Sequence, residues 1–408
     1  MPENDVPKRA WAVVGCAWVL GFAMFSRILC LPPIGNIVRE ALSLSHSKIG
    51  LFFSLPVAIL AITAIPSGRF GDIVGPRRAA GIGAVLMVLG SLASSAATAF
   101  WPLFMSTCLF GIGFSMAFTT LPKLVGLWFP AEKVGLATGI YVTGIGVGVS
   151  TGLGITRPLI FPITNSYQGT FLIWSLPLVA GAVLWWLLVR EHPISSVAVQ
   201  PARVGRGKHS AGHVWKNSSL WFAALSFSFL NLQFYTWAGW TPHLMVMKGA
   251  SPQTAGFMIS LFSWVSIPFM FIIPWLSHRV GLVRPFILAA SLGFALAAGA
   301  AIYVSVPLAW PLMVFLGMAV SVFPLLLAFP VDLVPEEWVG LASGIVISVG
   351  YLGALAGPWL AGHMLDRAGS LVPALVVLIG SGIAMGVFGM LVPETGWRAR
   401  QRSVISDQ

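Results

Sequence analysis

The sequence predicts an all-α membrane protein, with twelve transmembrane helices in two pseudo-symmetric six-helix bundles. Three observations carry this: a composition too apolar for water, twelve apolar stretches of spanning length, and an internal repeat. Of the 408 residues, 57% are hydrophobic and 9% charged. A soluble domain carries about 25% charged residues, so lipid must be the solvent for most of this chain. The net charge of +11 does not suggest nucleic-acid binding, because the basic residues are scattered between apolar segments and form no arm or aromatic-interleaved stripe.

A helix crosses the hydrocarbon core in about 20 residues. Suitable stretches lie near 11–34, 48–67, 79–98, 102–127, 136–159 and 169–190, then near 219–246, 254–276, 284–304, 308–332, 339–362 and 371–392. The organisation expected is a first bundle over 1–190, a cytoplasmic central loop over 191–217 and a second bundle over 218–408. The first apolar stretch follows a short polar head and is long enough to span, so it reads as a retained helix rather than a cleaved signal. With the N-terminus inside, sixteen Lys and Arg fall on the cytoplasmic side and five outside, with Arg27 and Lys123 within spans. That asymmetry places both termini in the cytoplasm of a cell whose inner membrane the chain spans.

The repeat lies at an offset of 205. Residues 129–152, FPAEKVGLATGIYVTGIGVGVSTG, match residues 334–357, VPEEWVGLASGIVISVGYLGALAG, at ten positions, among them Gly148/Gly353 and Gly152/Gly357. A weaker echo links GLFFSL at 50–55 to GFMISL at 256–261. Six plus six helices around a polar loop is the architecture of carriers that rock two halves about a midplane site. Gly144, Gly148 and Gly152 have small-xxx-small spacing, which signals close helix packing.

The connection between the second and third spans reads GRFGDIVGPRR over 68–78. Its glycines, acid and basic pair resemble the signature of the major facilitator superfamily, and the resemblance covers essentially the whole chain. It implies a gating role for Gly68, Asp72, Gly75, Arg77 and Arg78, with Asp72 capping or pairing with a helix N-terminus across the seam between halves. The counterpart PWLSHRVGLVR over 274–284 keeps Gly281 and Arg284 but has His278 in place of the acid.

Three further patterns resemble the cyanate and nitroimidazole porter family of bacterial anion carriers: Arg27 ahead of Pro32-Pro33, LSHSKIGLFFSLPV opening the second span, and NLQFYTWAGWTPHL in the seventh. That family tends to have an Asn in the fourth span, where Phe118 stands here with Thr119 and Thr120 as the nearest polar residues. The segment LVGLWFPAEKVGLATGI also resembles monocarboxylate and oxalate/formate carriers, which carry a basic residue in the eighth span; residues 254–275 have none.

Arg27 is the foremost site candidate. A guanidinium inside a span is costly unless paired or facing water, no carboxylate lies at similar depth, and its planar fork suits an oxyanion. Lys123 is a second cationic candidate. In the seventh span Asn231 and Tyr235 are four apart and share a face, with Gln233 and His243 nearby; Trp237 and Trp240 read as an interfacial belt. Thr119 and Tyr141 complete the candidate cavity. Asp366, with His363 and Arg367, reads as a loop-capping residue. The lack of a mid-membrane carboxylate favours an anionic or neutral small solute. If protons drive transport, the coupling proton must ride on His243, on the solute or on another group. Drug export remains the alternative that 17 Trp and 27 Phe keep open. No metal site, cofactor or enzyme motif is expected: Cys16, Cys30 and Cys108 are not spaced as a pair. A monomer in the bilayer is the expected form.

Overall fold

The computed structural model describes residues 8–129, 131–190, 212–335 and 338–396. Twelve long helices run through them: α1 (Lys8–Leu29), α2 (His46–Val74), α3 (Pro76–Ser95), α4 (Phe100–Trp128), α5 (Ala131–Ile155), α6 (Tyr167–Leu188), α7 (Ser218–Met247), α8 (Pro252–Val280), α9 (Arg284–Tyr303), α10 (Val306–Val320), α11 (Val339–Ala368) and α12 (Val372–Leu391). The central stretch 191–211 lies outside the described residues, which resume with a short helix, Gly212–Lys216.

Eleven helical segments among the described residues are long and apolar enough to cross a membrane. The twelfth, α7, is 30 residues long. It falls short in hydropathy because Asn231, Gln233, Tyr235, His243 and several Ser and Thr dilute its apolar run.

The chain divides into two compact units, Met1–Ser45 with Leu51–Pro201, and His46–Gly50 with Ala202–Gln408. The first turn of α2 thus groups with the second unit. Inside each unit the helices pair in the same way. α1 packs on α5 and α6, and α3 on α4 and α6; α7 packs on α11 and α12, and α9 on α10 and α12. The glycine stripe is the seam of these pairs. A Cβ on Gly152 would lie 2.7 Å from the Ser26 carbonyl of α1, and one on Gly357 would lie 2.8 Å from the Leu232 carbonyl of α7.

Three spans are interrupted, each for a local reason. After α1 the Pro32-Pro33 pair forces a short 3-10 turn, Pro32–Ile34, before the chain resumes as Gly35–Ala41. After α5 the helix widens into a π turn, Thr156–Ile160. After α10, Ser321 bonds the Gly317 and Ser266 carbonyls and the chain restarts as Phe323–Leu333.

The stretch 68–78 reads as a connection from sequence but is almost wholly helical. α2 continues to Val74 and α3 starts at Pro76, so the turn is Gly75 alone. Packing overrides the glycine content here, since Gly71 sits tightly against Thr120 of α4. Gly75 adopts φ 91 and ψ 143, a region almost closed to residues with a Cβ. Its counterpart Gly281 ends α8 at φ 73. Gly75→Ala is therefore expected to cost about 2 kcal/mol, measured as a lower thermal midpoint of the purified protein, whereas Gly68→Ala, within helical backbone, is expected to cost far less.

Candidate functional site

Arg27 sits in the last turn of α1 and is 8% exposed. Its Nε donates to the Ser91 hydroxyl on α3 at 2.8 Å, and that hydroxyl lies 2.7 Å from Ser175 on α6. Nη1 reaches the Cys30 sulfur at 3.8 Å. The guanidinium carbon stands 4.1 Å from the centre of the Phe171 ring and 5.9 Å from that of Phe110. Hydroxyl, thiol and ring faces solvate the cation without neutralising it, and no carboxylate among the described residues bridges to it. Arg27 lines a cavity of about 20 Å³ with Ser94, Thr107, Phe52 and Pro56, room for about one water. The side chain thus points into the first unit among α2, α3, α4 and α6.

Lys123 is placed beside the elements read as gating. Its ammonium donates to Asp72 at 2.7 Å and reaches the Gly68 carbonyl at 3.4 Å. Both side chains are nearly half exposed, so the pair is a modest contributor to stability. It does answer the lysine charge, and it is made within the first unit. Arg77 bonds the Val189 carbonyl through Nε and stacks on Trp186, while Trp185 donates to the Arg77 carbonyl at 3.0 Å. The Gly75 turn is thereby tied to the end of α6. Arg78 is exposed. Thr119 is half-buried and bonds its own helix at the Ser115 carbonyl, 2.8 Å away. Tyr141 is buried on α5.

In the second unit Asn231 and Tyr235 are both buried on α7. The Asn231 amide donates to the Phe227 carbonyl at 2.9 Å. Around them stand rings from other helices: Phe323 at 5.2 Å and Tyr351 at 6.0 Å from Phe227, and Phe262 at 5.7 Å from Phe234. Ser348, one turn before Tyr351 on the same face of α11, has a buried hydroxyl with no partner among the described residues. Two tyrosines, an amide and an orphaned hydroxyl amid aromatic rings can hold a small solute with a flat or apolar body and a polar end.

Gln233 is directed elsewhere. Its amide nitrogen donates to the Leu378 carbonyl at 2.6 Å and to Ser381 at 2.9 Å on α12, and its oxygen accepts from Trp237. Trp237 and Trp240 are buried rather than interfacial; Trp240 donates to the Pro358 carbonyl. The hydrogen-bonding ends of these indoles find partners inside the bundle, which outweighs a place at the lipid boundary. His243 lies twelve residues beyond Asn231, about 18 Å along the helix. Its ring is 5.8 Å from His46, which is held by Asp366.

The structure therefore brings together Asn231 with Tyr235, and Lys123 with Asp72 and Gly68. It separates Gln233 and His243 from the Asn231 cluster. Sequence pattern alone does not pick out Ser91, Ser175, Ser348 or Tyr351. Tyr351 leaves one signal: it breaks the repeat, standing where the first half has Gly146.

A model of the Major Facilitator Superfamily matches residues 16–358. The chain is 25% identical to an uncharacterized transporter, YycB, of Bacillus subtilis (strain 168), over 95% of this chain and 94% of the relative. It is 25% identical to the 2-nitroimidazole transporter of Escherichia coli (strain K12), over 88% and 89%. Among solved structures it is similar to a D-xylose-proton symporter, with a TM-score of 0.75, 18% identity, and coverage of 93% of this chain and 95% of that one.

Proposed function

The chain belongs to the Major Facilitator Superfamily, and from that premise we propose that it is a secondary active transporter moving a small anionic solute by alternating access around a central cavity. It is a multi-pass membrane transporter and not an enzyme. In this reading both termini lie in the cytoplasm, the membrane is the inner one, and the working form is a monomer.

One observation carries the anionic reading. Arg27 is a buried cation whose protein partners are all uncharged. A guanidinium does not lose its proton, and its charge stays uncompensated in a low-dielectric site unless an anion approaches. In the second unit Asn231 and Tyr235 offer polar groups of their own, while Gln233 is engaged by α12 and Lys123 by Asp72. The solute named for the Escherichia coli relative carries a nitro group, whose two coplanar oxygens present the acceptor pair that a guanidinium reads. A second reading, export of an amphipathic compound, draws on the rings around Tyr235; resistance profiling of an expressing strain separates the two.

The test begins with a thermal-shift screen of the purified protein against small organic and inorganic anions. For the anion found, Arg27→Gln is expected to lower uptake into proteoliposomes by about tenfold or more, equivalent to about 1.4 kcal/mol, with an unchanged elution profile. Full uptake by the folded variant defeats the reading.

A further inference from the structure

We infer that Arg157, presented by the π turn at the end of α5, reads the planar oxyanion or carboxylate of the transported solute. The inference rests on the proposed anion transport and adds to it a recognition residue that the charge asymmetry counts only as one of the five outer Lys and Arg.

The argument begins with the backbone. Pro158 has no N–H to continue the α ladder, and the helix responds by widening. The Phe161 N–H bonds back to the Thr156 carbonyl, five residues away. π turns inside helices are rare and recur at functional sites. Thr156 fixes the register of this one. Its hydroxyl donates to the Gly152 carbonyl at 2.6 Å and accepts from the Trp174 indole of α6 at 2.9 Å. The residue after it, Arg157, is thereby set at a defined position within a continuous span, 136–164.

The side chain then supplies the second observation. The Arg157 guanidinium lies over the Phe161 ring at 4.6 Å. Among the described residues its Nη1 is buried with no hydrogen-bond partner, and no carboxylate bridges to it. Exposure of the rest of the side chain leaves this one nitrogen unanswered, because Nη1 itself is shut away from solvent. A buried donor on a permanent cation costs free energy until an acceptor arrives. The described residues offer none, while the rest of the residue is half-exposed and so reachable. The acceptor that fits a guanidinium edge is a pair of coplanar oxygens.

Position supports the assignment. Gly152 of α5 abuts Ser26 of α1, and the π turn packs beside Pro32–Ile34, just past the end of α1. Arg157 and Arg27 thus lie toward the same end of the paired helices α1 and α5, where Glu40 is taken by Arg39 and neither Arg27 nor Arg157 is bridged by a carboxylate among the described residues. The repeat does not supply this feature twice, since position 362, the equivalent in the second half, is glycine.

The experiment measures thermal stabilisation of full-length protein by sodium nitrate, sodium formate and sodium benzoate, in the wild type, Arg157→Gln, Arg157→Lys and Arg27→Gln. General salt effects act on all four alike, so differences between variants report the site. The expected result is saturable stabilisation of the wild type by at least one salt, with apparent Kd raised about tenfold or more in Arg157→Gln and less in Arg157→Lys, which keeps the charge but loses the fork. Equal stabilisation of wild type and Arg157→Gln, with Arg27→Gln impaired, overturns the role of Arg157 and leaves the anion reading standing. No stabilisation of the wild type by any of the three salts overturns both.

Discussion

Replacing Gly148 with leucine is expected to leave no folded protein. Gly148 sits on the face of α5 that touches α1, against the Phe22 carbonyl; its neighbours one turn away, Gly144 and Gly152, approach the Trp18 and Ser26 carbonyls in the same way. Three glycines in register let two backbones meet without intervening side chains. Membrane helices have no hydrophobic drive to associate within lipid, so this close packing is what holds the pair. A leucine cannot rotate away, because the obstacle is backbone. The helices must part along the seam, losing the Trp18–Thr143 hydrogen bond of 3.0 Å together with the packing. Overpacking alone costs about 1–3 kcal/mol. Opening a whole helix pair adds enough to exceed about 4 kcal/mol, a size that point changes seldom reach. Size-exclusion chromatography of a fluorescent fusion checks it: Gly148→Leu should run in the void or fail to express, while Gly126→Leu, at a glycine with open space around its Cβ, should keep the monodisperse peak. A monodisperse Gly148→Leu would show that the seam does not hold the bundle.

That seam is legible in the amino-acid sequence, and the reason is physical. Close packing demands a small residue every turn, and the repeat at Gly353 and Gly357 displays the same demand a second time. The environment of Arg27 is not legible there. Hydropathy places a residue along a span but says nothing of its azimuth. The groups that decide where Arg27 points, Ser91 and Phe171, come from helices more than sixty residues away. Lys123 shows the same limit, since its partner Asp72 is 51 residues distant. The turn at Gly75 is half legible. The glycines mark the right segment, but tertiary packing of Gly71 on Thr120 draws most of it into helix. Arg157 stays hidden because a π turn has no propensity signature beyond a proline, and prolines are common throughout these spans.

Asp366→Ala is expected to cost about 3 kcal/mol, at roughly 0.7 kcal/mol for each of four part-exposed hydrogen bonds. Asp366 lies in the last turn of α11, and its carboxylate caps the start of α2, a helix 320 residues away in sequence. One oxygen accepts from the His46 backbone N–H and ring nitrogen, both at 2.8 Å; the other accepts from the Ser47 N–H at 2.8 Å and hydroxyl at 2.6 Å. A helix start leaves four N–H groups without partners and carries partial positive charge, so an anion fixed there satisfies both needs at once. Packing brings the two elements close enough for this. The backbone at His46 lies directly against Gly362 of α11, and Gly50 lies directly against Pro358. Alanine removes both acceptor oxygens, and with them all four hydrogen bonds, and leaves two backbone donors unpaired. Asparagine keeps one acceptor oxygen and no charge, so Asp366→Asn should fall between alanine and wild type. Hydrogen exchange separates this from general loosening: the amides of His46 and Ser47 should exchange much faster in Asp366→Ala, while those of Phe227 and Asn231 on α7 stay protected. Unchanged exchange at His46 and Ser47 would mean that another group caps α2, and the cap from Asp366 would then have no share in holding the first turn of α2 to α11.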